Sequence, residues 1–429
     1  MNWILHFVFL IFILSACGTK KVVNSKDYSV FLSDPTRNEK QLKKIAAESE
    51  FWQNRLSKDT GNFVDMCQLA SVYINRFSVS GNVNDLHVAD SFYAISLQKT
   101  KNSDPEIYFS ISQNAITQHR FNEAWKNLLI ADSIGADPYL LRLLKFDAAM
   151  EIGLYAKAAS FIENIRRKND FDCLIRKAKL EDHYGRLDNA ISLMEIALKK
   201  AESNGNKSTA LWAKTNLADM YGHAGRIKDA YRNYIDVLQK DSNNLYALKG
   251  IAWIAYSHDH NTKEAKRIIN YILSQTKMPE LYLQLAEMDE WEGNEVAKKE
   301  NINKFLSEAI KPGYENMYNK YLINIYAEEI IDLTKALSLA QKEVSNRPTP
   351  ETYSWLAWVY FRKGDKEKAY DLVKDFVIGR NFEPEAQLHM AYILKSKGET
   401  KKAQELLNEC LESSFELGPV VTSQIKKQI

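Results

Sequence analysis

The chain of 429 residues has little of what most small-molecule enzymes and nucleic-acid readers display. It has four cysteines, and beyond Cys17 the other three, Cys67, Cys173 and Cys410, stand far apart in separate helical patterns. That excludes a disulfide framework. Nine prolines fall mostly between helical patterns, at Pro105, Pro138, Pro279, Pro312, Pro348, Pro350 and Pro384, where they start helices rather than break them. Charge of one sign is missing too: 57 Lys and Arg face 55 Asp and Glu, a net +2. A nucleic-acid reader should carry a marked basic stripe, so nucleic acid is not an expected partner.

No phosphate-cradling glycine loop, nucleophile elbow, zincin helix or cysteine pair is present. His258-Asp259-His260 is the one local cluster that looks like a ligand set. It falls in a turn, and no third ligand stands at a defined spacing, so it reads as a polar turn. His119, His183 and His223 also lie in or next to turns without catalytic company. The expectation is a non-enzyme with no cofactor and no metal site. The long hydrophobic run is short as well: Trp3 to Leu14 falls well below the roughly 20 residues that a membrane-spanning helix needs.

What the chain does have is a ladder. Five times a glycine stands five residues ahead of an alanine: Gly153/Ala158, Gly185/Ala190, Gly225/Ala230, Gly364/Ala369 and Gly398/Ala403. Alanines in the same frame occur at 89, 124, 265, 297 and 336. Successive steps are close to the roughly 34-residue period of helix-turn-helix repeats. Two steps are long, with turn-rich insertions at 201 to 208 and around Lys311-Pro312-Gly313, where blocks of repeats are expected to bend against each other.

Within a unit, Leu211, Leu217, Ala218, Met220 and Tyr221 form one apolar helical face. Gly225 ends that helix, because glycine takes up the left-handed conformation without a Cβ clash. Ala230, Tyr231, Tyr234, Val237 and Leu238 then recur at helical spacing. Near the C-terminal end Tyr353, Leu356, Ala357 and Tyr360 precede Gly364, and Ala369, Leu372, Val373 and Phe376 follow it. Asp365 and Thr400 stand where a side-chain oxygen can cap the next helix. The turns before Ala265 and Ala336 have no glycine.

These units resemble the tetratricopeptide repeat family, most closely at Leu217-Ala218, Tyr221, Gly225, Ala230, Tyr234 and at Leu356-Ala357, Tyr360, Gly364, Ala369. The resemblance implies an all-α fold, a right-handed superhelical solenoid of about ten repeats over residues 60–413, forming one elongated domain. It also implies a concave groove lined by first-helix positions and suited to protein or peptide partners. Carried over residue by residue, the groove comprises Trp212, Thr215, Asp219 and His223 in one unit and Ser354, Trp358 and Arg362 in another. Weaker units add Phe109, Gln113, Lys179 and Asp182. Most other periodic aromatics are expected to fill the space between stacked helices.

The N-terminal apolar run reads as a signal peptide over 1–16. Leu14-Ser15-Ala16-Cys17 resembles the lipobox of bacterial lipoproteins, although Met1-Asn2 lacks the usual Lys or Arg. The resemblance implies a lipidated Cys17 as the first mature residue, and Gly18 favours the outer membrane, facing the periplasm. Residues 17–37 are expected to be a polar tether with a reach of roughly 20 to 25 Å, residues 38–57 a capping helix, and 414–429 a C-terminal cap. The expected function is a lipid-anchored scaffold for protein or peptide partners, an adaptor of an envelope assembly or secretion complex. Alternatives are a cell-wall- or carbohydrate-associated binding lipoprotein and, further off, an enzyme with a site between repeats.

Overall fold

The computed structural model describes residues 21–429; the signal segment and Cys17 lie outside the described residues. Those residues are helical throughout, without a β-strand. A short helix α1 (Ser25–Tyr28) and a long α2 (Arg37–Lys58) precede ten helix pairs. The first five are α3/α4 (Phe63–Ser80, Asn84–Lys99), α5/α6 (Pro105–Thr117, Phe121–Ser133), α7/α8 (Pro138–Glu151, Tyr155–Glu163), α9/α10 (Phe171–His183, Leu187–Ser203) and α11/α12 (Lys207–His223, Ile227–Lys240). Then come α13/α14 (Leu245–Trp253, Thr262–Gln275), α15/α16 (Glu280–Trp291, Glu295–Ala309), α17/α18 (Asn319–Glu328, Leu333–Asn346), α19/α20 (Pro350–Arg362, Lys366–Leu372) and α21/α22 (Pro384–Ser396, Thr400–Glu412), with α23 (Ser414–Lys426) last. Single π-helical turns extend α13 over Ile254–His258 and α20 over Val373–Val377.

The ladder is the hinge of each pair. Gly225 has φ +71°, its N–H donates to Gly222 O, and the Arg226 N–H reaches back to Tyr221 O at 2.7 Å. This double bond pattern satisfies the last carbonyls of the first helix. The turns without glycine keep the same backbone: five residues ahead of Ala124, Ala265 and Ala336 stand His119 (φ +56°), His260 (φ +51°) and Ile331 (φ +60°). Nine of the ten ladder alanines are buried and Ala297 is half-buried. Their small side chains let paired helices meet closely enough for Ser112 Oγ to bond the Ala124 carbonyl. Asp365 caps α20 through the Lys368 N–H at 3.1 Å. Thr400, by contrast, is the first helical residue of α22 and makes no capping bond.

The long step at 201–208 is mostly helix rather than a turn-rich insertion. Its residues lengthen α10 and α11 to 17 residues each, leaving only Asn204–Asn206 between them.

The elongated open array expected from the repeats is instead wound shut. The Lys277 N–H donates to Ser80 O at 3.0 Å, His87 Nε2 bonds Gly313 O at 2.9 Å, and Asn122 Nδ2 donates to Asn346 O at 2.6 Å. The turn of the first pair thus abuts the linker between the sixth and seventh. Gly153 and Gly185 lie against Pro348 and Phe382 in later linkers, and Gly222 of the fifth pair lies under the Phe415 ring after the tenth. Successive superhelical turns touch after between five and six pairs.

Both ends run across this winding. Over residues 22–36 the chain is not a free polar tether. Val22 and Val23 N–H groups donate to the Asp259 carboxylate at 2.8–3.1 Å, Asn24 N–H to Tyr231 OH at 3.1 Å, and Tyr28 is fully buried with its hydroxyl on Glu264. The His258-Asp259-His260 turn is therefore the clasp of an N-terminal strap. Helix α2 covers α3 through Ile45, Val72 and Val79, with Leu42 and Trp52 beside them; Phe51 points outward. At the other end Leu417, Val421 and Ile425 pack on Leu388, Leu407 and Cys410 of the last pair. The same segment also reaches inward, where Trp253 Nε1 and Ser257 Oγ both donate to Phe415 O.

Candidate functional site

Closure turns the concave face into an axial chamber. Two adjoining cavities, of about 220 and about 280 Å3, share Glu351, Asn381 and Glu383 in their walls. The first is lined by the ends of α7 and α9 (Glu151, Lys179, Asp182, His183), by Tyr155, and by the linkers carrying Arg347, Arg380 and Phe382. The second is lined by Lys320 of α17, Ser354 and Trp355 of α19, Glu385 of α21 and Glu416 of α23. Pro350 and Pro384 open α19 and α21, and the Thr349–Thr352 capping box fixes the α19 entry, so the two linkers enter the chamber at set angles.

The charges in this space are unevenly paired. Lys179 binds Glu151 at 2.8 Å; burial works against its charge, but Glu151 prevails and holds its pKa above the usual lysine value. Arg347 meets Glu351 at 3.0 Å, Glu343 at 3.4 Å and Glu151 at 3.9 Å. Lys320 faces Glu385 at 3.3 Å, and that carboxylate raises its pKa. Asp182, Glu383 and Glu416 are left without Lys or Arg partners among the described residues, and only His223 approaches Glu416, at 3.7 Å. Burial, then the charge of Glu416, pushes the Glu383 carboxyl up to about 7. Burial also raises Asp182 and Glu416.

A third cavity of about 280 Å3 continues from Tyr155, His183, Pro350, Arg380 and Phe382 to the surface. Its walls are aromatic: Tyr353 and Phe376 stack at 3.9 Å, and Tyr184 and Phe382 stand 38% and 42% exposed between two superhelical turns. A separate pocket of about 140 Å3 holds Asp219, His223, Tyr234, Tyr246, Trp253 and Phe415.

Of the expected groove residues, Lys179, Asp182 and Ser354 line the chamber, and Asp219 and His223 line the separate pocket. Asp219 accepts from the Tyr234 and Tyr246 hydroxyls, and Ser354 Oγ bonds Glu351 O at 2.7 Å. Trp212 is 47% exposed with its edge on Phe171, Gln113 is exposed, and Arg362 lies over the Trp358 ring. Three assignments to an open surface are corrected. Phe109 is packed among Leu128, Leu141 and Leu144, Thr215 is buried with its hydroxyl on Trp212 O, and Trp358 is 6% exposed. Trp358 stacks on His389 of the next pair at 4.0 Å and donates to Glu328 of the preceding pair at 2.6 Å, so its neighbours along the stack cover it. Arg347, Asn381, Phe382, Glu383 and Glu416 were missed because they lie in linkers and the C-terminal segment, outside the first-helix frame. Among the described residues no group of three or more His, Cys, Asp or Glu is placed to hold a metal ion.

No family model and no curated protein matches the chain. Solved structures with a similar fold include the human IFIT1 dimer with PPP-AAAA, at 14% identity and TM-score 0.46, covering 73% of this chain and 71% of that one. The Cut9–Hcn1 hetero-tetramer of APC/C aligns at 13% identity and TM-score 0.33, covering 93% and 95%. YrrB, a tetratricopeptide repeat protein with an unusual peptide-binding site, aligns at 16% identity and TM-score 0.27, covering 47% and 97%. At these identities and TM-scores the likeness assigns no role; the fold rests on the chain's own ten consecutive helix pairs, which make the described residues an all-α, tetratricopeptide-repeat-like solenoid.

Proposed function

We propose that this chain is a lipid-anchored scaffold of a bacterial envelope that binds a protein or peptide partner, as an adaptor within a larger assembly. The observation that carries the reading is the aromatic cleft between superhelical turns. Tyr155, Tyr184, Tyr353, Phe376 and Phe382 come together there on separate elements and lead into a polar interior. Exposed aromatics beside a pocket are the usual anchors of protein recognition. A phosphate-rich ligand is disfavoured, because carboxylates without Lys or Arg partners line the chamber and repel phosphate. The strap supports a surface close to the bilayer: from Cys17 to the clasped Val22, five residues span at most about 18 Å.

The test is crosslinking in intact cells followed by identification of partners, with wild type, Cys17→Ser and Tyr184→Ala/Phe382→Ala. One stoichiometric membrane-fraction partner, delocalised by Cys17→Ser and reduced by the aromatic variant, is the expected result. If no protein is enriched above a control lipoprotein, the scaffold reading fails.

A further inference from the structure

The chamber behind the aromatic cleft carries a more specific reading, which rests on the peptide-binding scaffold proposed above. We propose that it receives a lysine or arginine side chain of the bound peptide, with Asn381 donating to a carbonyl of the same peptide.

Two independent observations point there. The first is charge. Across the two cavities Glu151, Asp182, Glu351, Glu383, Glu385 and Glu416 face Lys179, Lys320, Arg347 and Arg380. Three of those cations are committed to the carboxylates beside them, and Arg380 lies toward the cleft with its guanidinium on the Asp375 carbonyl. Asp182, Glu383 and Glu416 line this space without a Lys or Arg ion-pair partner among the described residues. Burial raises all three and prevails over Lys320, which lowers Glu383 and Glu416 from a distance; Glu383 is raised further by Glu416 and Asp182, and Glu416 by Asp182. A cation placed among them would relieve that repulsion in a space where water screens poorly. The described carboxylates do not form a metal cage. An ammonium or guanidinium at the end of a flexible stem needs no such cage, and a cavity of about 280 Å3 admits one side chain but not a folded domain.

The second observation is Asn381. It is 7% exposed and belongs to the walls of both cavities. Its Oδ1 accepts from the Glu383 N–H at 3.0 Å, while its Nδ2 has no hydrogen-bond partner among the described residues. Buried amide groups are rarely left unpaired, so this donor waits for an acceptor. A peptide that sends a cation to Glu383 and Glu416 brings backbone carbonyls with it. The approach is set by the cleft, whose Tyr155, His183 and Arg380 are shared with the chamber wall. An apolar or aromatic residue held by Tyr184 and Phe382 would lie close to the cation in the same peptide.

Fluorescence anisotropy with pools of labelled hexapeptides, fixed at one position as Lys, Arg, norleucine or Glu, tests this directly on the full chain in detergent. Lys and Arg pools should bind at least tenfold more tightly than Glu pools. The preference should vanish in Glu383→Gln/Glu416→Gln and persist in the surface control Glu405→Gln, with both variants matching wild type in helical circular dichroism. Equal binding of all pools, absence of binding by every pool, or a preference retained in the double variant overturns the proposal. Partner recovery from cells separates the two readings. If the partner is recovered in full by Glu383→Gln/Glu416→Gln while the pools show no charge preference, the scaffold stands and the chamber assignment falls.

Discussion

Replacing Gly81 and Gly225 by alanine separates the repeat from its winding. Both glycines have positive φ, +66° and +71°, so each alanine bears the left-handed penalty of about 1 kcal/mol. At Gly225 a Cβ would meet nothing within 4 Å, so only that penalty, partly offset by the lower unfolded-state freedom of alanine, sets the effect, at most about 1 kcal/mol. At Gly81 a Cβ would fall on the Lys277 carbonyl, 2.8 Å from its carbon, in the linker of the next superhelical turn. The linker must move, with an overpacking cost of about 1–3 kcal/mol, and the bond from Lys277 N–H to Ser80 O is lost, about 1 kcal/mol more. Gly81→Ala should therefore destabilise by about 3–5 kcal/mol against at most about 1 for Gly225→Ala in urea titrations. Amide exchange at Lys277 supplies the local readout: slow in wild type and Gly225→Ala, fast in Gly81→Ala. Equal stabilities, with Lys277 still protected in Gly81→Ala, would refute contact between the turns.

Ile331 is a β-branched residue at φ +60° with a side chain 53% exposed. Ile331→Gly should relieve strain at little loss of packing and, after the greater unfolded-state freedom of glycine, stabilise by about 0.5–1 kcal/mol in urea titrations; a loss of stability would contradict the inferred turn. His389 is 5% exposed against Trp358, and burial depresses its pKa to about 4. The native state therefore resists a proton that the unfolded chain accepts near 6.5. Stability on this account is complete above pH 6.5 and falls as pH drops toward 4, by about 3 kcal/mol at the end of that window. His389→Phe, which keeps the stack, should flatten the pH dependence of the urea midpoint between pH 7 and 4; parallel curves for the two proteins would exclude the imidazole as its source.

The repeat was legible because its determinants are local. Gly225, Arg226 and Tyr221 form one turn, and the same turn recurs wherever the ladder does. It was less legible before Ala124 and Ala336, where His119 and Ile331 hold the glycine backbone without its sequence signature. The winding left no comparable trace. Whether pair one meets the linker after pair six depends on small rotations added over several repeats, and the residues that meet, Gly81 with Lys277 and Gly222 with Phe415, lie in frames with nothing in common. Gly222 stands three residues before Gly225, yet it sits within α11 and is glycine because a phenyl ring from the C-terminal segment lies on it.

Charge follows the same logic. A net +2 with acids and lysines interleaved gives no hint of an acidic interior. Lys179 and Asp182 stand one helical turn apart on α9, and both face inward. Lys179 is then neutralised by Glu151 of the preceding pair, whereas Asp182 meets Glu383 and Glu416, delivered by a linker and a terminal segment some 200 residues later in the chain. Burial opposes the ionisation of all three, and the charge of Asp182 adds to it at Glu383 and Glu416. The chamber's acidity is thus a property of which carboxylates the winding brings face to face, and it depends on the same seam that Gly81→Ala would force apart.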